Sequence, residues 1–321
     1  MMKTVHLRAG EGRQKELCTM GLFNMHYDRP GPGVEKDAPR KKGIARWFEI
    51  VGRDLADFTK ANIITALCCL PCVLVLEIGL ILLGVQFHPL VMLLTLLLPS
   101  ALGFLAGPGI CAMCAVMLKH LRDEPCFFWP TYKKAFRENF RRGAITGVIF
   151  VFALLLQVLA LLLYTNAQLS SLPMLALLFL DILVITMVTI FAVPQIVLMD
   201  LTGMQILLNS LRLAFAFLPR SLPAAIVVLG LVGVQLVYPF LMLPVFLLIG
   251  VWLPGFTALF LIYKPLDQVF KIEEQVNERR EREMRALEAE SRAAVETALH
   301  KKWDEENAAD SAEPDDTDAD S

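Results

Sequence analysis

The apolar stretches of this chain carry almost no charge. Six of them recur between Asn62 and Tyr263, and only Glu77 and Asp181 place a charged side chain inside one. Soluble domains do not leave segments of that length uncharged. About 20 apolar residues is what a hydrocarbon core of ~30 Å asks of a helix. Other absences narrow the chemistry. The five histidines (His6, His26, His88, His120, His300) have no metal-ligand spacing. Gly31-Pro32-Gly33 is not followed by Lys-Ser/Thr and lies in no strand–helix setting, which excludes a phosphate loop and a dinucleotide fingerprint. No serine sits in a nucleophile elbow. The expectation is a protein that is not an enzyme and takes no metal and no cofactor. The first 60 residues are basic and Pro/Gly-rich, without a short apolar region before a small-residue cleavage site, so no signal peptide is expected.

What is present is a multi-pass pattern. Hydrophobic residues make up 56% of the chain, and mean hydropathy is +0.56. The predicted spans are 61–84, 89–118, 145–164, 173–199, 222–238 and 241–263. The fold class is all-α, a polytopic membrane helix bundle of about six transmembrane helices, or five if 222–263 forms one long bent helix. The second span is too long for one straight helix, and Pro99 and Gly107-Pro108-Gly109 should kink or interrupt it.

Lys and Arg number 30: twelve in 1–60, seven in 119–143, two in 200–221 and nine after 263, so the other loops hold none. Positive charge stays on the cytoplasmic side of a membrane. Both termini are therefore expected in the cytoplasm of a cell-membrane protein. Three parts follow. Residues 1–60 form a basic arm with a Pro/Gly motif and an interfacial helix, 61–263 the transmembrane domain, and 264–321 a charged helix with an acidic, disordered tail.

The surface segments are amphipathic. In 43–60, Ile44, Trp47, Phe48, Val51, Leu55 and Phe58 recur at helical steps among Arg46, Arg53 and Lys60, which suits either the leaflet surface or packing beneath the spans. The 119–143 loop sets Phe127, Phe128, Trp129, Tyr132, Phe136 and Phe140 among basic residues. Aromatic-plus-basic composition also suits nucleic acid, but a position between two spans favours lipid, and no nucleic-acid partner is expected. A weaker echo lies 79 residues on, where Ala135-Phe136 matches Ala214-Phe215 and Lys133 matches Arg212. It hints at a repeated unit of span, surface helix and span. Five of the seven cysteines lie in spans, and Cys111-x-x-Cys114 reads as small apolar packing rather than a redox pair.

Charged residues inside a span are costly and draw attention first. Glu77 and Asp181 both sit ~10–12 Å below the outer surface at 1.5 Å per residue. Gln157 falls at a similar depth and Gln235 slightly shallower, so Glu77, Gln157, Asp181 and Gln235 are the candidate intramembrane polar site. The opposing reading is that each is satisfied locally. Gly103-x-x-x-Gly107 is a candidate close-packing face.

In the arm, Gly21-Leu22-Phe23-Asn24, Tyr27-Asp28-Arg29-Pro30-Gly31-Pro32-Gly33-Val34 and Pro39-Arg40-Lys41-Lys42-Gly43 resemble the opening of the YesL family of bacterial multi-pass membrane proteins, a domain of unknown function. Leu70-Pro71, Gly107-Pro108 and Lys133 through Asn139-Phe140 look like its other recurrent patches, and the resemblance covers about 20–230. An insertion around 74–100, which brings Glu77, and the charged C-terminal helix depart from it. The resemblance implies an accessory or permease-like component of a solute uptake system, plausibly for carbohydrates, with its subunits as partners besides the lipid bilayer. It nominates Asn24, Tyr27, Asp28, Arg29, Pro30, Gly31, Gly33 and Lys36 as a cytoplasmic docking motif. The alternative is a stand-alone secondary transporter using the intramembrane carboxylates. Oligomeric state is not legible in the sequence.

Overall fold

The computed structural model describes residues 41–166 and 171–310, so the docking motif from Asn24 to Lys36 and the tail after Asp310 lie outside the described residues. The chain divides into a unit of residues 1–42 and a unit of residues 43–321. The second is entirely helical among its described residues. Its order is α1 (Ile44–Val85), α2 (Pro89–Leu121), α3 (Phe128–Glu138), α4 (Phe140–Asn166), α5 (Leu172–Leu198), α6 (Gly203–Ala216), α7 (Leu218–Val237), α8 (Pro239–Val245), a π-helical turn (Phe246–Gly250), α9 (Trp252–Phe270) and α10 (Ile272–Asp310).

Five of these helices are long and apolar enough to cross a membrane, and the segment Leu241–Gly250 with Trp252–Phe270 makes a sixth if counted as one span, bent by 44°. The burial pattern is that of a protein solvated by lipid. On α2, Leu90, Leu93, Leu94, Leu97 and Leu98 face outward, while Thr95, Pro99, Ser100 and Gly103 face inward. A continuous outward face of large aliphatic side chains has no place in water.

Two boundaries differ from expectation. The predicted interfacial helix 43–60 and first span are one uninterrupted α1 of 42 residues, about 63 Å long at 1.5 Å per residue. Its first turns pack into the bundle along one face and leave the other uncovered. Ile50 and Phe58 are fully buried, Phe58 against Phe256 (ring centroids 4.8 Å apart) and Trp252 (5.4 Å), while Ile44, Phe48 and Leu55 stay exposed. The second span is one helix too, with Pro99 and Pro108 inside it. The real interruption falls in the last span, at the π-turn.

α2 is the hub, packing on α1, α3, α4, α5 and α9. Its seam with α4 is made by glycines. A Cβ on Gly107 would collide with the Gly143 carbonyl, and one on Gly147 with the Gly103 carbonyl. The expected Gly103-x-x-x-Gly107 face is thus met by Gly143-x-x-x-Gly147, a partner with the same spacing that sequence reading passed over. Such pairs let helix backbones approach until dispersion contacts replace side chains.

The hinted repeat is visible in the element order. α2–α3–α4 and α5–α6–α7 are each a span, a short amphipathic helix and a span, and the second and third helices join through one residue, Asn139 or Phe217. The matched alanines, Ala135 and Ala214, are both buried. The surface helices are tied inward by polar groups. Tyr132 Oη lies 3.0 Å from Thr65 Oγ1, and Ser210 Oγ accepts from Gln195 Nε2 at 2.9 Å.

Candidate functional site

A cavity of about 580 Å³ lies among α1, α2, α4, α5, α7 and the broken last span. Its wall is mostly Leu, Ile, Val and Met, and no Lys, Arg or His lines it among the described residues. Glu77 and Gln235 are on the wall; Gln157 and Asp181 are not. The four predicted residues therefore do not converge. Asp181 and Gln157 are half-buried on α5 and α4 and look elsewhere.

Asn62, which sequence reading left unremarked at the edge of the first span, organises the break. Its side chain is 0% exposed. Nδ2 donates to the Phe246 and Leu247 carbonyls at 2.9 and 2.8 Å. Oδ1 accepts from the Val251 and Trp252 amides at 2.9 and 2.8 Å. A π-turn leaves helical N–H and C=O groups without their usual partners, and one amide answers four of them. Unpaired, each would cost about 1–3 kcal/mol in an apolar interior. A second amide works from the opposite side: Gln235 Nε2 donates to Gly250 O and to Leu231 O, both at 3.1 Å. Pro244 and Pro254 flank the turn and weaken the helix there.

Below the cavity, the basic ends of the helices are tied by ion pairs. Arg46 and Arg53 of α1 both reach Asp123 after α2, Arg53 at 2.9 Å. Buried His120 lies between Asp54 (3.1 Å) and Asp57 (3.6 Å). Arg280 of α10 pairs with Glu124 at 3.4 Å, and Arg142 of α4 with Asp200 after α5 at 2.8 Å. Burial pushes Asp123 up, but hydrogen bonds and charge from Arg53 and Arg46 outweigh it and hold the carboxyl below its ordinary range. Segments expected to share the cytoplasmic side are thus joined to one another: the start of α1, the loop after α2 and the start of α10.

Among the described residues, no three of His, Cys, Asp and Glu are grouped to hold a metal ion. The thiols of Cys111 and Cys114 are free and buried.

An all-helical unit with five or six membrane-length helices defines a multi-pass membrane protein. Residues 88–161 match the family model described as protein of unknown function, DUF624, the YesL-like family of bacterial membrane proteins. The segment is α2–α3–α4, including both glycine pairs. No curated protein and no solved structure matches the chain.

Proposed function

We propose that the chain is a non-enzymatic, permease-like membrane protein, with both termini in the cytoplasm, that admits a small and largely apolar molecule to the cavity beside its broken last span. One observation carries this reading: a partly open cavity of about 580 Å³ with a discontinuous helix for part of its wall. Small-molecule sites occupy roughly 300–1,000 Å³ and are mostly apolar with a few placed polar groups. Broken helices at such sites are a recurring feature of transporters.

The test fills the cavity. Full-length protein in lipid nanodiscs is screened for thermal stabilisation by amphipathic small molecules, beside Val228→Trp, which puts an indole into the wall. Stabilisation of the native protein alone supports the reading; none, or the same in both, overturns it. The orientation rests on the distribution of Lys and Arg. A membrane-impermeant thiol reagent should label Gln168→Cys in intact cells and spare Gln205→Cys.

A role in carbohydrate uptake is a second reading, drawn from the family resemblance. A sugar needs hydrogen-bonding partners for most of its hydroxyls, and this wall supplies few. Sugar would therefore pass through partner subunits, with this chain as their accessory. A mild-detergent pull-down from native membranes decides it: stoichiometric uptake subunits support the accessory role, and their absence removes it.

A further inference from the structure

The amide and hydroxyl groups on the cavity wall share one property: their protons are already spent. Gln235 gives both amide hydrogens to backbone carbonyls, and its Oε1 lies against Gly250. Thr186 and Thr189 donate to the Ile182 and Ile185 carbonyls at 2.8 Å each, leaving only acceptor lone pairs. Glu77 Oε1 is shut off from solvent without a hydrogen-bond partner among the described residues. Apart from weakly donating cysteine thiols and the Glu77 carboxyl itself, the wall therefore offers acceptors, and no cationic side chain lines it among the described residues.

An apolar, partly open cavity of acceptors with a carboxyl group that no cation answers is complementary to a hydrogen-bond donor that carries positive charge on an apolar body. We infer that the cavity binds an amphipathic amine in its ammonium form, with the ammonium on Glu77 and the hydrocarbon or aromatic part against the aliphatic wall. This assignment rests on the cavity reading proposed above and names its ligand class. The same ammonium chemistry occurs in free lipophilic amines and in the phosphatidylethanolamine headgroup.

The probe is dansylcadaverine, a primary amine whose fluorescence reports an apolar surrounding, titrated into full-length protein in phosphatidylcholine nanodiscs with empty discs as the blank. Its N-acetylated form has the same body without the charge. The expected result is saturable binding of one amine per chain, weakened roughly 10- to 100-fold by acetylation and by Glu77→Gln, the loss of one charge-assisted hydrogen bond. Acetylation is read on the native protein, so the assignment stays testable if Glu77→Gln fails to fold. Equal binding of both probes overturns the ammonium assignment and leaves the cavity as a small-molecule site. No saturable binding of either overturns the assignment, and if Val228→Trp also melts as the native protein does in the ligand screen, the cavity reading falls with it. Replacing part of the lipid with phosphatidylethanolamine separates the sources. Competition identifies a lipid ammonium as the occupant, and unchanged affinity identifies a free amine.

Discussion

The α2–α4 seam and the break before α9 hold helices together by opposite means. At the seam, four glycines remove side chains so that backbones touch. At the break, backbone order is lost and two amides, Asn62 and Gln235, restore its hydrogen bonds from neighbouring helices. The first arrangement distributes its energy over many small contacts. The second concentrates it in one side chain. The seam is thus built to stay closed, and the break is a place where the loss of one residue frees a segment that walls the cavity.

The contrast can be broken most severely at Asn62. Asn62→Ala leaves two carbonyls and two amides without partners, and should destabilise the protein by about 4 kcal/mol or more, read as a collapse of the thermal melt in detergent. A loss comparable to an exposed polar deletion would mean that the four groups find other partners. Next comes the seam. Gly107→Ala must push α4 away and should cost about 1–3 kcal/mol. Gly230→Ala, whose added methyl meets nothing within 4 Å, should gain about 0.5–1 kcal/mol from helix propensity. Similar melts for the two variants would remove the claim that close approach makes the seam.

Gln235→Leu deletes a single cross-helix bond to Gly250, so about 0.6–1 kcal/mol is expected. It should sensitise the protein to any change at Asn62, and a double-mutant cycle measures that coupling. The smallest effect is outside the bundle's apolar part. Asp123 is held below its ordinary value of 3.8, so its contribution is present above that pH and is lost as pH falls through the lower folded value. Asp123→Asn should lower stability slightly at neutral pH, flatten that acid limb of the profile and leave the most acid end nearly unchanged.

How much of this the sequence disclosed depends on the range of the interaction. Spans could be read because hydropathy is a local property, and Gly103-x-x-x-Gly107 because its spacing lies within one helix. Its partner Gly143-x-x-x-Gly147 carries the same signal and could have been found by the same rule. Asn62 could not: its partners lie 184 to 190 residues away, and a polar residue at a span's edge reads as interfacial. Depth placed Glu77, Gln157, Asp181 and Gln235 at one level, but depth does not fix which way a helix is turned. Rotation about the axis brings Glu77 and Gln235 to the cavity and takes the other two away. The join between the predicted surface helix and first span was legible too: residues 53–70 contain no Pro or Gly, so nothing ends the helix there.

The central claim is that one side chain holds the broken span in place. Hydrogen–deuterium exchange in nanodiscs over the peptide containing Val251 and Trp252 tests it, comparing the native protein with Asn62→Ala. The account predicts protected amides at these two positions in the native protein and fast exchange in the variant, with the α2–α4 seam unchanged in both. Equal protection in the two proteins would contradict it.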